Sequence, residues 1–144
     1  MYDKIRFKEI EFFREQSINI VKIIRFGNNS YFVDDTGVLF GCGSLIGLTF
    51  GEYNPLYRND YTPIEIQYFT KRNIRLKDIR CGWDHALAFG VDGDIYAWGK
   101  NYDGQCGFDY EEDQILKPRK VTCLDKYKIE YMKVCLSLPK IYYF

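Results

Sequence analysis

The chain has a single histidine, His85, four residues after Cys81 and next to Asp84. A thiol, an imidazole and a carboxylate are the parts of a nucleophilic triad, and Cys and His are also zinc ligands. Spacing argues against both uses. Zinc sites gather four ligands, typically from closely spaced Cys and His pairs, and no two of the five cysteines stand that close. On an extended strand, residues i and i+4 share a side but lie far apart, and Gly82 breaks the run. No catalytic residue, metal or cofactor is therefore expected, and the chain reads as a non-enzyme. Cys81 suits a small core residue, and His85 suits a group satisfying backbone near a turn or touching a partner. Gly99 to Gly107 holds spaced glycines. It lacks the Gly-Lys-Ser/Thr ending of a phosphate loop and opens no predicted helix.

The elements around these residues occur almost twice. Cys81-Gly82-Trp83-Asp84-His85 runs on through Ala86 to Phe89, Asp92-Gly93, and Ile95 to Gly99. A worn copy runs from Phe26-Gly27 through Tyr31 to Val33, Thr36-Gly37, and Leu39 to Gly43. Gly27 to Gly82 is 55 residues, while Gly37 to Gly93 and Gly43 to Gly99 are 56. Ile10-Glu11-Phe12-Phe13 and Ile18 match Ile66-Gln67-Tyr68-Phe69 and Ile74 at 56, and Pro63, Ile74 and Ile79 recur as Pro118, Ile129 and Val134 at 55. A fixed period of this size marks a repeat architecture. The chain divides into the end of one unit (1-19), a degenerate repeat (20-74), a well-matched repeat (75-129) and the start of a truncated unit (130-144).

Each unit reads as about four short strands. Ala86 to Phe89 and Ile95 to Trp98 are apolar runs joined by Val91-Asp92-Gly93-Asp94, which predicts a hairpin with a type I′ turn. The runs around Ile64 to Phe69 and Ile74 to Arg80 supply the other two strands. Tyr96 and Trp98, at alternate positions, point to one side and suit the core. Lys4 to Gln16 fits neither period cleanly. Its match to Ile64 to Phe69 favours a strand, with a short amphipathic helix as the alternative. Four-stranded units repeated radially make a propeller. The fold class is all-β: a partial β-propeller of about two four-stranded blades, with incomplete units at both ends.

The second unit resembles one repeat of the regulator of chromosome condensation family. The residues that carry the resemblance are Cys81, Gly82, His85, Leu87 and Ala88; Asp92, Gly93, Tyr96, Trp98 and Gly99; Asn101, Gly104, Gln105 and Gly107; and Pro118. The first unit keeps Gly27, Gly37, Gly43 and Gly51 but lacks the Cys, the His, the Trp and the Asn-x-x-Gly-Gln run. The resemblance implies a seven-bladed propeller that works as a protein-interaction module. Its alternatives are nucleotide exchange on a Ran-like small GTPase, or the propeller part of a larger enzyme such as a HECT ubiquitin ligase. Fold alone does not choose among these. The strand-end loops nominate Trp83, Asp84, His85, Lys100, Asn101 and Tyr102 as partner contacts, with a small GTPase among the candidate partners. Trp83-Asp84 is not read as a WD repeat, because those blades run about 40–45 residues.

The 144 residues carry 18% aromatics, including 13 Tyr and 11 Phe, which suits a β-rich core. They cannot close a ring of seven at this period. A fragment, an eroded copy, or a partial propeller completed by another chain are the accounts considered, with the first two preferred. Formal net charge is +0 and the longest basic run is Lys71-Arg72, so direct nucleic-acid binding is not expected. Asp109 to Asp113 carries four acids around Tyr110 and reads as a solvated loop or a contact for a basic partner. The N-terminus has no secretory pattern and no stretch is long and apolar enough to span a membrane. Unpaired cysteines fit a reducing, intracellular setting, cytoplasmic or nuclear.

Overall fold

The structure, a computed structural model, describes residues 8–26, 29–43, 62–82, 84–109, 111–126 and 129. Gly27, Gly51, Trp83, Tyr110 and the expected truncated unit from 130 lie outside the described residues, apart from Ile129 at its border. A helix, α1 (Lys8–Glu15), precedes strands β1 (Ile20–Phe26), β2 (Asn29–Asp34), β3 (Leu39–Gly43) and β4 (Ile64–Glu65). A one-turn helix, α2 (Gln67–Thr70), leads to β5 (Leu76–Cys81), β6 (His85–Gly90), β7 (Ile95–Lys100) and β8 (Gln114–Lys120), and a 3-10 turn follows at Thr122–Leu124. The strands form two four-stranded antiparallel sheets, each in sequential order. The partial propeller expected from the repeat is thus present as two blades.

The two sheets are copies in detail. Lys22 pairs with Val33 after a register irregularity at Ile20/Lys22, and Asp78 pairs with Phe89 after the same irregularity at Leu76/Asp78. One core joins both blades. Tyr31, Val33 and Leu39 of the first sheet pack with Ile79, Leu87, Ile95 and Trp98 of the second. The Leu76 amide donates to the Gly37 carbonyl at 2.9 Å, and Ile66 donates to Leu39 at 2.8 Å. Lys22 forms an ion pair with Asp78, which also meets Arg80 at 2.9 Å. Ile79 is fully buried in this junction, whereas its repeat mate Ile23 is 64% exposed. The same apolar residue is buried only where a blade stands in front of it.

Two local expectations are corrected. The repeat match between Ile10–Phe13 and Ile66–Phe69 holds, but Ile10–Phe13 lies in α1, the helical alternative, and after the short strand β4 the second segment turns into α2 at Gln67. Each helical turn stops at a residue in the left-handed region, Ser17 (φ 55) and Asn73 (φ 55). The next amide then reaches back five residues, Ile18 to Phe13 and Ile74 to Phe69, at 2.9 Å each, a common way to end a helix. Phe13 and Phe69 are thereby driven into the blades. Phe13 meets Phe32 and Phe40, and Phe69 meets Tyr96 and Trp98 at ring distances of 5.5 and 5.8 Å.

The hairpin turn is not type I′ either. Among Val91–Asp94 only Gly93 (φ 96) has the positive φ that a type I′ turn needs twice. The loop is held instead by side chains. Asp92 Oδ1 accepts the Asp94 amide at 3.0 Å. In the first blade Asp34 Oδ1 accepts the Thr36 amide, the Thr36 hydroxyl and the Val38 amide at 2.8–2.9 Å.

Candidate partner-binding face

Each sheet has a turn end and a loop end. The hairpin turns at Gly37 and Gly93 mark the first. The second blade's loop end carries the links from β5 to β6 and from β7 to β8, and Asp84, His85, Lys100, Asn101 and Tyr102 of the nominated contacts gather there. Gly99 (φ 107) allows β7 to leave the sheet directly against β6, since a Cβ on it would lie 2.6 Å from His85 Cα and also meet the Asp84 carbonyl. That approach lets the Lys100 amide donate to the Asp84 carbonyl at 2.7 Å. The Lys100 ammonium closes on the Asp84 carboxylate at 2.8 Å, which raises the Lys100 pKa.

Asn101 organises the long loop. It is fully buried. Its amide nitrogen donates to the carbonyls of Phe108 (3.4 Å), Asp109 (3.1 Å) and Glu112 (2.9 Å), and its Oδ1 accepts the Cys106 amide at 3.1 Å. Gln105 accepts the Asp103 amide at 2.9 Å, so both polar side chains tie the loop. Gly104 and Gly107 lie in the same loop, each donating its amide to a carbonyl three residues back. Tyr102, next to the anchor, is 58% exposed.

His85 is half-buried with its ring over Gly82; a Cβ at Gly82 would lie 2.6 Å from Nδ1. The glycine is thus a seat for the imidazole. Burial lowers the His85 pKa from 6.5, opposed in part by Asp84. The unfolded chain takes up a proton at the ordinary value while the fold resists it. Stability is therefore full above pH 6.5 and declines as pH falls through the folded value. The expected slope is no more than about 1.4 kcal/mol per pH unit. Urea midpoints between pH 7.5 and 5 should show this decline in the wild type and less of it in His85→Gln.

The sequence reading missed one feature of the loop. Glu112, assigned to a solvated acidic run, accepts both guanidinium nitrogens of Arg119 at 2.6 and 2.7 Å. Arg119 also lies over the Phe108 ring at 4.8 Å. Arg119 holds the Glu112 carboxyl below its ordinary range. Seven residues separate the pair, so no local spacing rule finds it. Trp83, also nominated, lies outside the described residues.

Cys81 and Cys106 do not present reactive thiols, since burial pushes each up to about 12. Cys106 Sγ donates to the Lys100 carbonyl at 3.3 Å. Among the described residues no cluster of His, Cys, Asp or Glu is arranged to hold a metal, and no helix is long and apolar enough to cross a membrane.

Two profiles of the regulator of chromosome condensation repeat match the chain, at residues 76–105 and 92–134. They cover the second blade and its exit. Residues 76–134 carry the regulator of chromosome condensation repeat. The chain is 34% identical over 70 residues to the Arabidopsis thaliana ultraviolet-B receptor UVR8, covering 49% of the chain and 15% of the receptor. It is 33% identical over 86 residues to the human probable E3 ubiquitin-protein ligase HERC6, covering 60% of the chain and 8% of the ligase. The Saccharomyces cerevisiae guanine nucleotide exchange factor SRM1 matches at 26% over 113 residues, 74% of the chain and 22% of the factor. The chain thus spans less than a quarter of the length of each. Its fold superposes on yeast Prp20p, a structure reported with its binding to Gsp1p and histones, with a TM-score of 0.65 at 20% identity, over 80% of this chain and 28% of that one.

Proposed function

We propose that this regulator of chromosome condensation repeat protein is a non-catalytic protein-interaction module that meets its partner through the loop end of the second blade. The observation that carries the reading is Tyr102, exposed beside a fully buried Asn101. A rigid, half-free aromatic on a pinned loop is the kind of group that carries binding energy in interfaces. Asp84, His85, Lys100 and Trp83 complete the candidate contact set, with Asn101 as the anchor that positions it. Residues 101–113 hold five acids and no base. The nearest cations, Lys100 and Arg119, are already paired with Asp84 and Glu112. The face therefore suits a basic protein surface, with opposite charge steering the encounter. The repeats are taken as 20-74 and 75-129.

Nucleotide exchange on a Ran-like GTPase is the second reading, favoured by the match to SRM1. A chain that covers 22% of that factor brings only part of such a surface. A role within a larger ligase depends on sequence outside these residues.

Purified core histones and a Ran-type GTPase are the probes that test the reading, by interferometry on the whole chain. Binding of at least one, weakened about tenfold or more in Tyr102→Ala, is the expected result. Failure of both to bind, or equal binding by Tyr102→Ala, would contradict it. Acceleration of labelled GDP release by the chain would favour the second reading.

A further inference from the structure

The end of α2 and the start of β5 carry four cations, Lys71, Arg72, Arg75 and Lys77, and residues 66–77 hold no acid. Lys71, Arg72 and Lys77 are exposed and Arg75 is half-buried. This segment lies at the turn end of the junction between the blades. Arg75 sits between the two hairpin turns. A Cβ on Gly37 would lie 3.0 Å from Arg75 Cβ, and the Arg75 carbonyl accepts the Val91 amide at 2.9 Å.

These cations are held differently from those on the strands. Lys22, Arg80, Lys100, Arg119 and Lys120 are each in an ion pair. Among the described residues none of the four at the turn end has a carboxylate partner. Two are steadied by aromatic faces instead. The Arg72 guanidinium lies 3.9 Å from the centre of the Tyr68 ring and donates to the Tyr68 carbonyl at 3.0 Å. The Lys77 ammonium lies 4.0 Å from the centre of the Phe89 ring. An aromatic face attracts a cation without neutralising it, and a side chain already in place loses less freedom on binding.

The blade does not require this charge. Ser17 and Asn73 share φ 55, which aligns the two helical turns residue by residue. On that alignment Lys71, Arg72, Arg75 and Lys77 correspond to Glu15, Gln16, Asn19 and Val21. None of those is basic, yet the same turn forms.

We propose that the turn end of the blade junction docks a short acidic peptide segment of a protein partner, its carboxylates taken by the Arg72 and Arg75 guanidiniums with Lys71 and Lys77 at the flanks. A guanidinium fork matches a carboxylate with two parallel hydrogen bonds. A nucleic-acid strand is the poorer occupant. Its affinity comes from a long row of phosphate contacts, and the row here is flanked by the exposed carboxylates of Asp35 and Asp92 in the two hairpin turns. One face of Tyr68, the aromatic beside these cations, is already covered by Arg72 and closed to base stacking. The surface is separate from the loop end and does not depend on what binds there.

Fluorescence anisotropy of a labelled deca-glutamate peptide titrated with the full chain tests it. Affinity should fall about tenfold or more in Arg72→Glu/Arg75→Glu and less than about twofold in Arg25→Glu/Lys117→Glu, which makes the same change in net charge at exposed sites elsewhere. On the nitrogen-15-labelled wild type, the peptide should shift the amide signals of residues 71–77 and leave those of 101–113 in place, a readout that needs no variant to fold. Absence of binding, equal loss in both double variants, or tighter binding of a single-stranded oligonucleotide of equal charge would overturn the proposal. A doubled mass of the chain alone by light scattering, abolished by Arg72→Glu/Arg75→Glu, would also overturn it, by giving the surface to a second copy.

Discussion

Asn101→Ala is expected to lower the stability of the chain by about 2–4 kcal/mol, the cost of stranding several hydrogen-bonding groups of which some regain water. The side chain serves four backbone groups, three carbonyls and the Cys106 amide. The Cys106 amide belongs to a fully buried residue and has no route to solvent while the loop keeps its shape. Asn101→Asp should be at least as damaging despite its matching shape. The oxygen replacing Nδ2 would face three carbonyl oxygens, and a buried charge left with the Cys106 amide as its donor costs more than a missing amide. Urea midpoints of the two variants check the order. If both melt within about 0.5 kcal/mol of the wild type, the size of an ordinary surface change, Asn101 does not anchor the loop. Partner binding should fall with stability here, because Tyr102 loses its platform.

Trp98→Ala should cost about 3–5 kcal/mol, the range for deleting a large aromatic from a packed core. Trp98 is fully buried and touches Phe69, which belongs to the helical turn between the blades. The deletion therefore opens a void where the blades share their core. Against a total of roughly 5–15 kcal/mol for an ordinary domain, the variant should be partly unfolded at 37 °C. Trp98→Phe keeps most of the volume and should recover more than half of the loss. A Trp98→Ala melt indistinguishable from the wild type would mean that Trp98 does not fill the core.

Much of this was legible in the chain. The Gly37/Gly93 and Gly43/Gly99 spacings located both hairpins, because those glycines sit where φ is positive and few other residues serve there. Tyr96 and Trp98 were placed in the core by strand alternation and are buried. The α2 turn was not legible, and α1 was legible only as the alternative to a strand. Phe12-Phe13 and Tyr68-Phe69 offer neither a period of two nor one of 3.6 over so few residues. Their endings rest on Ser17 and Asn73 in a conformation that neither residue type demands. The type I′ assignment failed because Asp92 and Asp34 hold their turns through side-chain oxygens, which spares the second positive φ. At the candidate face, Asn101 was nominated as a contact, but it is fully buried and anchors the loop from within. The Arg119 fork on Glu112 was hidden because it depends on how β8 returns beside the loop.

The central claim is that the two repeat sheets are consecutive blades folded around one core. A urea melt of the full chain, followed by tryptophan fluorescence and by far-ultraviolet circular dichroism, tests it most directly. Trp83 and Trp98 both belong to the second repeat, while circular dichroism reports both sheets. Coincident transitions with a single midpoint are the predicted result. A fluorescence transition at one urea concentration and a separate dichroism transition at another would contradict it, and would mean that the blades fold independently.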